Sequence, residues 1–166
     1  MQPALVSRWA LVTGTSTGIG RAVTLRLARE GVRVIAGVRR DTDAQDLTAQ
    51  AARIGAGDRV TPVILDVTKE QDVERAMERV SEITAEDGLW ALVNNAGVVI
   101  PGPVEYLSIS EWRRQFEVNF FSMAELTRRS LPLLFDSDPA PHLATLAMLA
   151  SIPCKSSVVS LPGAVK

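Results

Sequence analysis

The chain has few residues that could make covalent or metal cross-links. Its 166 residues include one cysteine, Cys154, and one histidine, His142. One cysteine cannot form an internal disulfide, and the two residues are too few for a zinc site of the Cys/His type, so we expect no metal. A protein without disulfides suits a reducing compartment, and we therefore predict a cytoplasmic location.

The chain also lacks a charge surplus and a long apolar run. Its 18 basic and 19 acidic residues give a net charge of −1, which disfavours nucleic acid as a partner. The longest candidate span, Leu143 to Cys154, is interrupted by Thr145, Ser151 and Pro153 and is shorter than the roughly 18 apolar residues that cross a membrane. With 46% apolar residues, the composition predicts a folded globular domain with a core.

A glycine-rich turn is the most informative feature that is present. It reads Thr13-Gly14-Thr15-Ser16-Thr17-Gly18-Ile19-Gly20 between an apolar run and an amphipathic segment. Gly14 permits a sharp turn, and Gly18 and Gly20 keep side chains away so that N–H groups at the helix start can approach phosphate. A βαβ fold binds a dinucleotide pyrophosphate at such a turn. The alternative, a turn that merely joins strand to helix, stays open on this motif alone.

Strands and helices alternate along the chain. The predicted strands are Arg8–Thr13, Val32–Val38, Arg59–Leu65 and Leu89–Val93, and the predicted helices are Arg21–Arg29, Thr42–Ile54, Lys69–Thr84 and Ser110–Leu134. This order, with strands that are apolar throughout, predicts an α/β fold with a doubly wound parallel sheet. Pro62 predicts an edge position for the third strand.

Polar side chains predict where the later helices begin. Ser, Thr and Asp side chains can accept a hydrogen bond from a free N–H of the first turn. The predicted N-caps are Asp41 or Thr42, Thr68 and Ser110.

Three further motifs accompany the turn in chain order. Asp66-Val67 ends the third strand, Asn94-Asn95-Ala96-Gly97 ends the fourth, and Asn119 lies in the last helix. Together with the turn they resemble the short-chain dehydrogenase/reductase family over about residues 5 to 135. The resemblance implies a Rossmann-type sheet and NAD(P)-dependent hydride transfer to or from an alcohol or carbonyl substrate.

The resemblance implies that the glycine turn and the third strand bind the cofactor. The turn residues that would line the pyrophosphate and ribose are Gly14, Thr15, Ser16, Thr17, Gly18, Ile19 and Gly20. Asp66 would accept a hydrogen bond from the adenine amino group, and the Val67 backbone would support the ring. The alternative for Asp66 is a helix-capping acid.

The fourth strand and the last helix would complete the site. The resemblance implies that Asn94 holds adjacent strands through side-chain to backbone hydrogen bonds, while Ala96 and Gly97 pass close to the cofactor. Asn119 would bind a water in a proton relay. The alternative for Asn119 is a satisfied polar residue in a buried helix.

The end of the second strand bears on the choice of cofactor. NAD-binding folds usually place an acid there to bond the ribose 2′-OH, and Gly37 takes that place here. Arg39 and Arg40 follow, and their guanidinium forks suit a phosphate, so the sequence favours NADP over NAD. Asp41 could pair with one of these arginines, and a solvated charged loop is the alternative.

The family's catalytic tyrosine and lysine are absent. The family uses a Ser and a Tyr-x-x-x-Lys motif, in which the tyrosine transfers the hydroxyl proton and the lysine lowers its pKa. The one tyrosine, Tyr106, precedes Asn119, and no Tyr-x-x-x-Lys occurs. Ser151 or Ser157 would stand for the family serine, and an ordinary loop serine is the alternative for each.

The last part of the chain departs from the family pattern. We predict a dinucleotide-binding domain at 1–135 and an atypical tail at 136–166. Leu143 to Ser151 has a helix-forming composition where a fifth strand is expected, and His142 is interpreted as a loop residue. The sheet would then be incomplete at its C-terminal side, leaving Leu92 and Val93 at an open edge.

Two functions stay open on these grounds. One is an oxidoreductase of this family by descent. The other is a dinucleotide-binding fragment or pseudoenzyme without catalysis, which pairs with a full-length relative. Apolar residues of the long helix 110–134 favour a homo-oligomer through that helix.

Overall fold

The computed structural model describes residues 8–85, 87–135 and 142–145. Five parallel strands form one sheet in the order β3-β2-β1-β4-β5. They are β1 Trp9–Val12, β2 Arg33–Val38, β3 Val60–Ile64, β4 Ala91–Asn94 and β5 His142–Thr145. The predicted doubly wound parallel sheet is confirmed, and β3, which contains Pro62, is an edge strand.

Helices connect the strands. They are α1 Gly18–Arg29, α2 Asp41–Arg53, α3 Glu70–Thr84, α4 Ile109–Phe116 and α5 Ser122–Phe135. A short 3-10 turn, Gly57–Arg59, precedes β3. The single helix predicted over 110–134 is in fact α4 and α5, joined by a π-helical segment, Glu117–Phe121.

The sheet is buried on both faces. Ala10 and Val12 of β1 belong to a cluster that includes residues of α1 and α2, whereas Leu11 belongs to a cluster that includes residues of α3 and α5. Consecutive strand residues point to opposite faces, and each face here meets a helix layer. This arrangement explains why the central strands β1, β2 and β4 are mostly apolar and do not alternate, whereas β5 at the edge is exposed at all four positions.

The start of α4 corrects the predicted cap. Ser108, not Ser110, is the N-cap: its Oγ accepts from Glu111 N at 3.3 Å, and Glu111 Oε2 accepts from Ser108 N at 2.7 Å. This is a capping box, which satisfies two N–H groups reciprocally. The Ser-x-x-Glu spacing that encodes it is visible in the sequence.

The predicted caps of α2 and α3 are also wrong. Arg40 and Lys69 occupy the N-cap positions, and neither makes a side-chain capping bond. Asp41 is already the first residue of α2, where its charge favours the positive helix end. Thr68 bonds back to Asp66 instead of capping the helix.

Residues 142–145 correct the predictions made for the last part of the chain. They form β5, parallel to β4, with Leu143 opposite Leu92 and Ala144 opposite Val93. The backbone N–H of His142 donates to the carbonyl of Trp90 at 2.8 Å. The predicted helix at 143–145, the loop position of His142 and the open edge at Leu92 and Val93 are therefore wrong, because pairing with β4 overrides local propensity.

Candidate functional site

A cleft of about 530 Å³ opens at the carboxyl ends of the strands. Its walls are the glycine turn, the end of β2, the segments after β3 and β4, and one side of α4 with the π-helical segment. The strand order reverses direction between β1 and β4, and ligands of open α/β sheets bind at such a switch point.

Most of the predicted cofactor residues line this cleft. Those that do are Gly14, Ser16, Thr17, Gly18, Ile19, Arg39, Asp66, Val67, Ala96 and Gly97. The remaining four, Thr15, Gly20, Arg40 and Asn94, are not among its lining residues. Three of these four, Thr15, Arg40 and Asn94, make side-chain hydrogen bonds to other residues instead.

The three glycines of the turn serve different purposes. Gly14 and Gly18 have φ of +66° and +60°, in the left-handed region that favours glycine. A Cβ at Gly14 would also lie 2.8 Å from the Cα of Ala96. Gly20 has ordinary backbone angles, but a Cβ there would clash with the Asn95 side chain and the Gly14 carbonyl. Gly20 therefore lets α1 pack against the turn, and it is not among the residues that line the cleft, so its role in clearing space for phosphate stays a prediction.

Hydrogen bonds hold the turn to its neighbours. Thr15, fully buried, donates through both its N–H and its Oγ1 to the carbonyl of Gly37 at 3.0 Å. On the other side, Asn95 Nδ2 donates to the carbonyls of Thr13 at 2.8 Å and Gly14 at 3.0 Å. The turn is thus attached to both adjacent strands.

Asn95 performs the task that the resemblance assigned to Asn94. Asn94 instead donates through Nδ2 to Thr127 Oγ1 of α5 at 2.9 Å. Because alternate residues at a strand end point to opposite faces, only one of two adjacent asparagines can reach the turn. The sequence motif contains both asparagines. The alternation of side chains along a strand tells which of the two faces the turn, but only once the register of the strand is known.

The N-terminus of α1 faces the cleft without a side-chain cap. Thr17 is the N-cap and makes no capping bond, and the first turn carries no acid. Each of the other four α-helices has an acid in its first turn. The free N–H groups and positive dipole end of α1 therefore suit an anion in the cleft.

Asp66 lines the cleft two residues beyond the end of β3. Its Oδ1 accepts from Thr68 N at 3.1 Å and Thr68 Oγ1 at 2.7 Å, and Lys69 Nζ lies 3.8 Å from Oδ2. Burial raises its pKa, but the Thr68 hydrogen bonds and the Lys69 charge outweigh burial, so the pKa is below its ordinary value. An ionised acceptor with an oxygen near a cleft wall can take a hydrogen bond from an amino group.

Only one of the two arginines after β2 reaches the cleft. Arg40 forms a two-point pair with Asp43, Nε to Oδ2 and Nη2 to Oδ1, both at 2.9 Å. The hydrogen bonds from Arg40 lower the pKa of Asp43. Arg39 lines the cleft and makes no ion pair among the described residues. Asp43, and not Asp41, is the acid that competes for an arginine.

Two amide side chains hold the segment that follows β4. Asn119 donates through Nδ2 to the Val98 carbonyl and accepts the Val98 N–H on Oδ1, both at 2.8 Å. Gln115, one turn earlier, accepts the Ile100 N–H on Oε1 at 3.2 Å. Asn119 does not line the cleft, and its two hydrogen bonds position the segment that contains Val98. The role of Asn119 in a water relay stays a prediction.

The one tyrosine of the sequence, Tyr106, is not among the residues that line the cleft. Tyr106 lies in the turn before α4 and is 79% exposed. Ser151 and Ser157 lie outside the described residues. Within the described ranges, no cluster of three His, Cys, Asp or Glu side chains could hold a metal, and no helix is long and apolar enough to span a membrane.

A parallel sheet with a left-handed glycine turn at its switch point defines a Rossmann-type protein, a class that binds dinucleotides. The sequence model of the short chain dehydrogenase family matches residues 8–151, and the chain belongs to that family. The match extends through β5.

Relatives of known activity support the family. The chain is 33% identical over 144 residues to the NADPH-dependent 3-dehydrocapnine reductase of Ornithobacterium rhinotracheale, covering 87% of this chain and 49% of that protein. It is 36% identical over 131 residues to retinol dehydrogenase 16 of Mus musculus, covering 78% and 40%. The crystal structure of a short-chain dehydrogenase from Streptomyces avermitilis superposes with a TM-score of 0.73 at 31% identity, covering 83% and 48%. The chain thus spans about half the length of the relatives it matches, or less.

Proposed function

We propose that this chain binds a nicotinamide dinucleotide in the cleft, as the cofactor-binding part of an NAD(P)-dependent oxidoreductase, with residues 1–135 as the binding domain. The observation that carries the proposal is the uncapped N-terminus of α1 behind Gly14 and Gly18, facing a cleft of about 530 Å³. That volume lies within the range of small-molecule and cofactor sites.

Each wall of the cleft has a chemical task in this proposal. The amides after Thr17 bind the pyrophosphate, Asp66 accepts from the adenine amino group, and Ala96 and Gly97 leave room for the cofactor beside β4. When bound, the dinucleotide supplies or accepts the hydride that an alcohol or carbonyl substrate exchanges. Val98 adds an apolar wall, and the apolar segment that it begins fits a nonpolar substrate.

NADP is the cofactor we propose over NAD. Arg39 faces the cleft with its fork free, while Arg40 is held by Asp43, so one guanidinium is available for a 2′-phosphate. Calorimetric titration should show tighter binding of NADPH than of NADH, and Arg39→Gln should remove most of that difference. Arg40→Gln is the matched control, and equal affinities in the wild type would reject the NADP preference.

Catalysis by this chain alone is not part of the proposal. General acid–base catalysis by a positioned group is worth about 10²–10⁴-fold, and the chain has no Tyr-x-x-x-Lys to supply it. Purified chain should bind NADPH but should not consume it with a panel of ketones and aldehydes. Turnover above buffer would show that other residues carry the proton transfer, and absence of binding would reject the proposal itself.

Two further proposals concern the oligomeric state and the cellular location of the protein. We propose self-association through the exposed apolar side of α4 and the π-helical segment, which lie within the long helix predicted over 110–134. We also propose a cytoplasmic location, on the ground of the single Cys154, which fractionation of the source cells would test.

A further inference from the structure

We propose that Arg114 binds a phosphate of the dinucleotide, as a second cationic contact in the cleft that Arg39 also lines; this inference rests on the proposed function. Arg114 lies on α4 and lines the cleft together with Val118, which is one helical turn further on. The cleft therefore has a guanidinium on two walls and the positive end of α1 on a third.

Arg114 forms no ion pair among the described residues, because the capping box of its own helix holds the acid three residues before it. An acid three residues before an arginine forms a pair elsewhere in this chain, at Asp72–Arg75 and at Glu125–Arg128. Glu111 stands at the same distance from Arg114, but its Oε2 accepts from both the N–H and the Oγ of Ser108, at 2.7 and 2.8 Å.

The hydrogen bonds that hold Glu111 also keep it charged. The Ser108 backbone and side chain lower the pKa of Glu111 below its ordinary value, so the carboxylate stays ionised at its place in the capping box. Glu117 is the other acid near Arg114 in sequence, and it forms no ion pair among the described residues. Arg114 therefore keeps its fork available on the cleft side of α4.

A phosphate is the ligand that matches an unpaired guanidinium at a cleft wall. Arginine stays charged at all relevant pH values and donates two parallel N–H bonds to phosphate oxygens. A dinucleotide with a 2′-phosphate carries a pyrophosphate and a separate phosphate group, so it offers more than one site for a cationic contact. Arg114 lines the same cleft as Arg39 and the N-terminus of α1, but from a different element, α4.

The test is a calorimetric titration of wild type, Arg114→Gln and Arg114→Lys with ADP, 2′,5′-ADP, NADP⁺ and adenosine. Hydrogen bonds to charged groups contribute about 1.5–3 kcal/mol, so Arg114→Gln should weaken NADP⁺ and at least one of the two phosphate-bearing fragments by roughly 10-fold or more. Adenosine, which carries no phosphate, should bind as before, and Arg114→Lys should fall between wild type and Arg114→Gln.

Arg53→Gln is the control for the loss of one positive charge. Arg53 ends α2, makes no ion pair among the described residues and does not line the cleft. The inference is overturned if Arg114→Gln binds all ligands like wild type, if adenosine weakens by the same factor as ADP, or if Arg53→Gln loses as much. Wild type that binds no NADP⁺ would instead reject the proposed function, and circular dichroism of each variant confirms that it is folded.

Discussion

At the scale of single residues, the two glycines at the start of α1 illustrate different constraints on the same amino acid. Gly18 has a left-handed backbone, but a Cβ there would meet no atom within 4 Å. Gly20 has ordinary dihedral angles, but a Cβ would collide with Asn95 and Gly14. The first glycine is required by conformation and the second by packing.

We predict that Gly20→Ala destabilises the protein more than Gly18→Ala. Placing alanine at a positive φ costs about 1–2 kcal/mol, whereas overpacking forces backbone shifts that cost about 1–3 kcal/mol and here would displace the turn itself. Urea unfolding measures both free energies. Gly31→Ala, at φ of +97° with open space around it, is the control for backbone strain alone. Equal losses in Gly20→Ala and Gly31→Ala would contradict the packing argument.

Asn95→Ala should weaken dinucleotide binding more than Asn94→Ala. Asn95 fixes the turn through two carbonyls, and its removal releases the turn that presents the α1 amides to the cleft. Asn94→Ala removes one bond to Thr127 and leaves the turn attached. Each substitution should lower the free energy of unfolding by about 1–3 kcal/mol, so stability does not distinguish the two variants. The comparison is therefore made on NADP⁺ affinity, measured well below the melting temperature. Similar affinities would mean that Asn95 does not position the turn.

The sequence predicted the glycine turn and Asp66 correctly as parts of one cleft, since carboxyl ends of parallel strands share an edge. It could not separate Asn95 from Asn94, because that choice depends on strand register. It also could not show that Asp43 holds Arg40, since the pair depends on where α2 begins.

At the scale of elements, α5 is joined to α3 through a charged cluster. Glu125 accepts from Arg128 Nε and Nη2 at 2.9 and 2.7 Å and from Arg129 Nε at 2.6 Å, and Arg129 also lies 3.5 Å from Glu70 at the start of α3. The hydrogen bonds from Arg128 and Arg129 lower the pKa of Glu125 to about 2. The carboxylate therefore stays ionised in mild acid.

The cluster predicts a pH-dependent contribution to stability. A group whose pKa is lower in the folded state stabilises the fold above its ordinary pKa, and this contribution disappears as the pH falls through the folded value. Wild type should thus exceed Glu125→Gln in urea midpoint at neutral pH, with a difference that shrinks between about pH 4.5 and pH 2. Glu74→Gln controls for the loss of one negative charge. A difference that is independent of pH would argue against the ion pairs.

Two elements show why local sequence signals were insufficient. Leu143 and Ala144 favour a helix by composition, but the free edge of β4 offers backbone partners, so they extend the sheet instead. The segment Glu117–Phe121 contains Val118, Phe120 and Phe121 within the pattern that predicts one long helix, and nothing in that pattern predicts the wider turn of a π-helical segment. Asn119, which lies in this segment, holds Val98.

At the scale of the whole molecule, the described residues leave one apolar surface uncovered. Phe116 and Phe121 are 53% and 56% exposed and line a groove on the outer side of α4 and the π-helical segment, with Ile109 and Trp112. Arg113 and Glu117 border the same groove. Clusters of this kind on a folded surface mark sites of association.

We propose that a second copy of this chain covers the groove, because the charges beside the groove are self-complementary. Arg113 and Glu117 are four residues apart, yet they do not pair with each other or with any other described residue. In a two-fold symmetric dimer whose axis is perpendicular to α4, the two copies of this helix run antiparallel, so that Arg113 of one copy faces Glu117 of the other. Each dimer would then contain the same ion pair twice around a shared apolar centre.

We therefore predict a dimer that Phe116→Glu and Phe121→Glu convert to monomer, because each places a charge in the apolar centre. Sedimentation velocity at several concentrations measures the change, and Phe135→Glu, exposed but outside the groove, should remain dimeric. Arg113→Glu should also dissociate the dimer through like charges, and the double exchange Arg113→Glu with Glu117→Arg should restore it. A monomeric wild type would contradict the dimer. A double exchange that stays monomeric, or Phe variants that still form a dimer, would contradict this arrangement of the two copies.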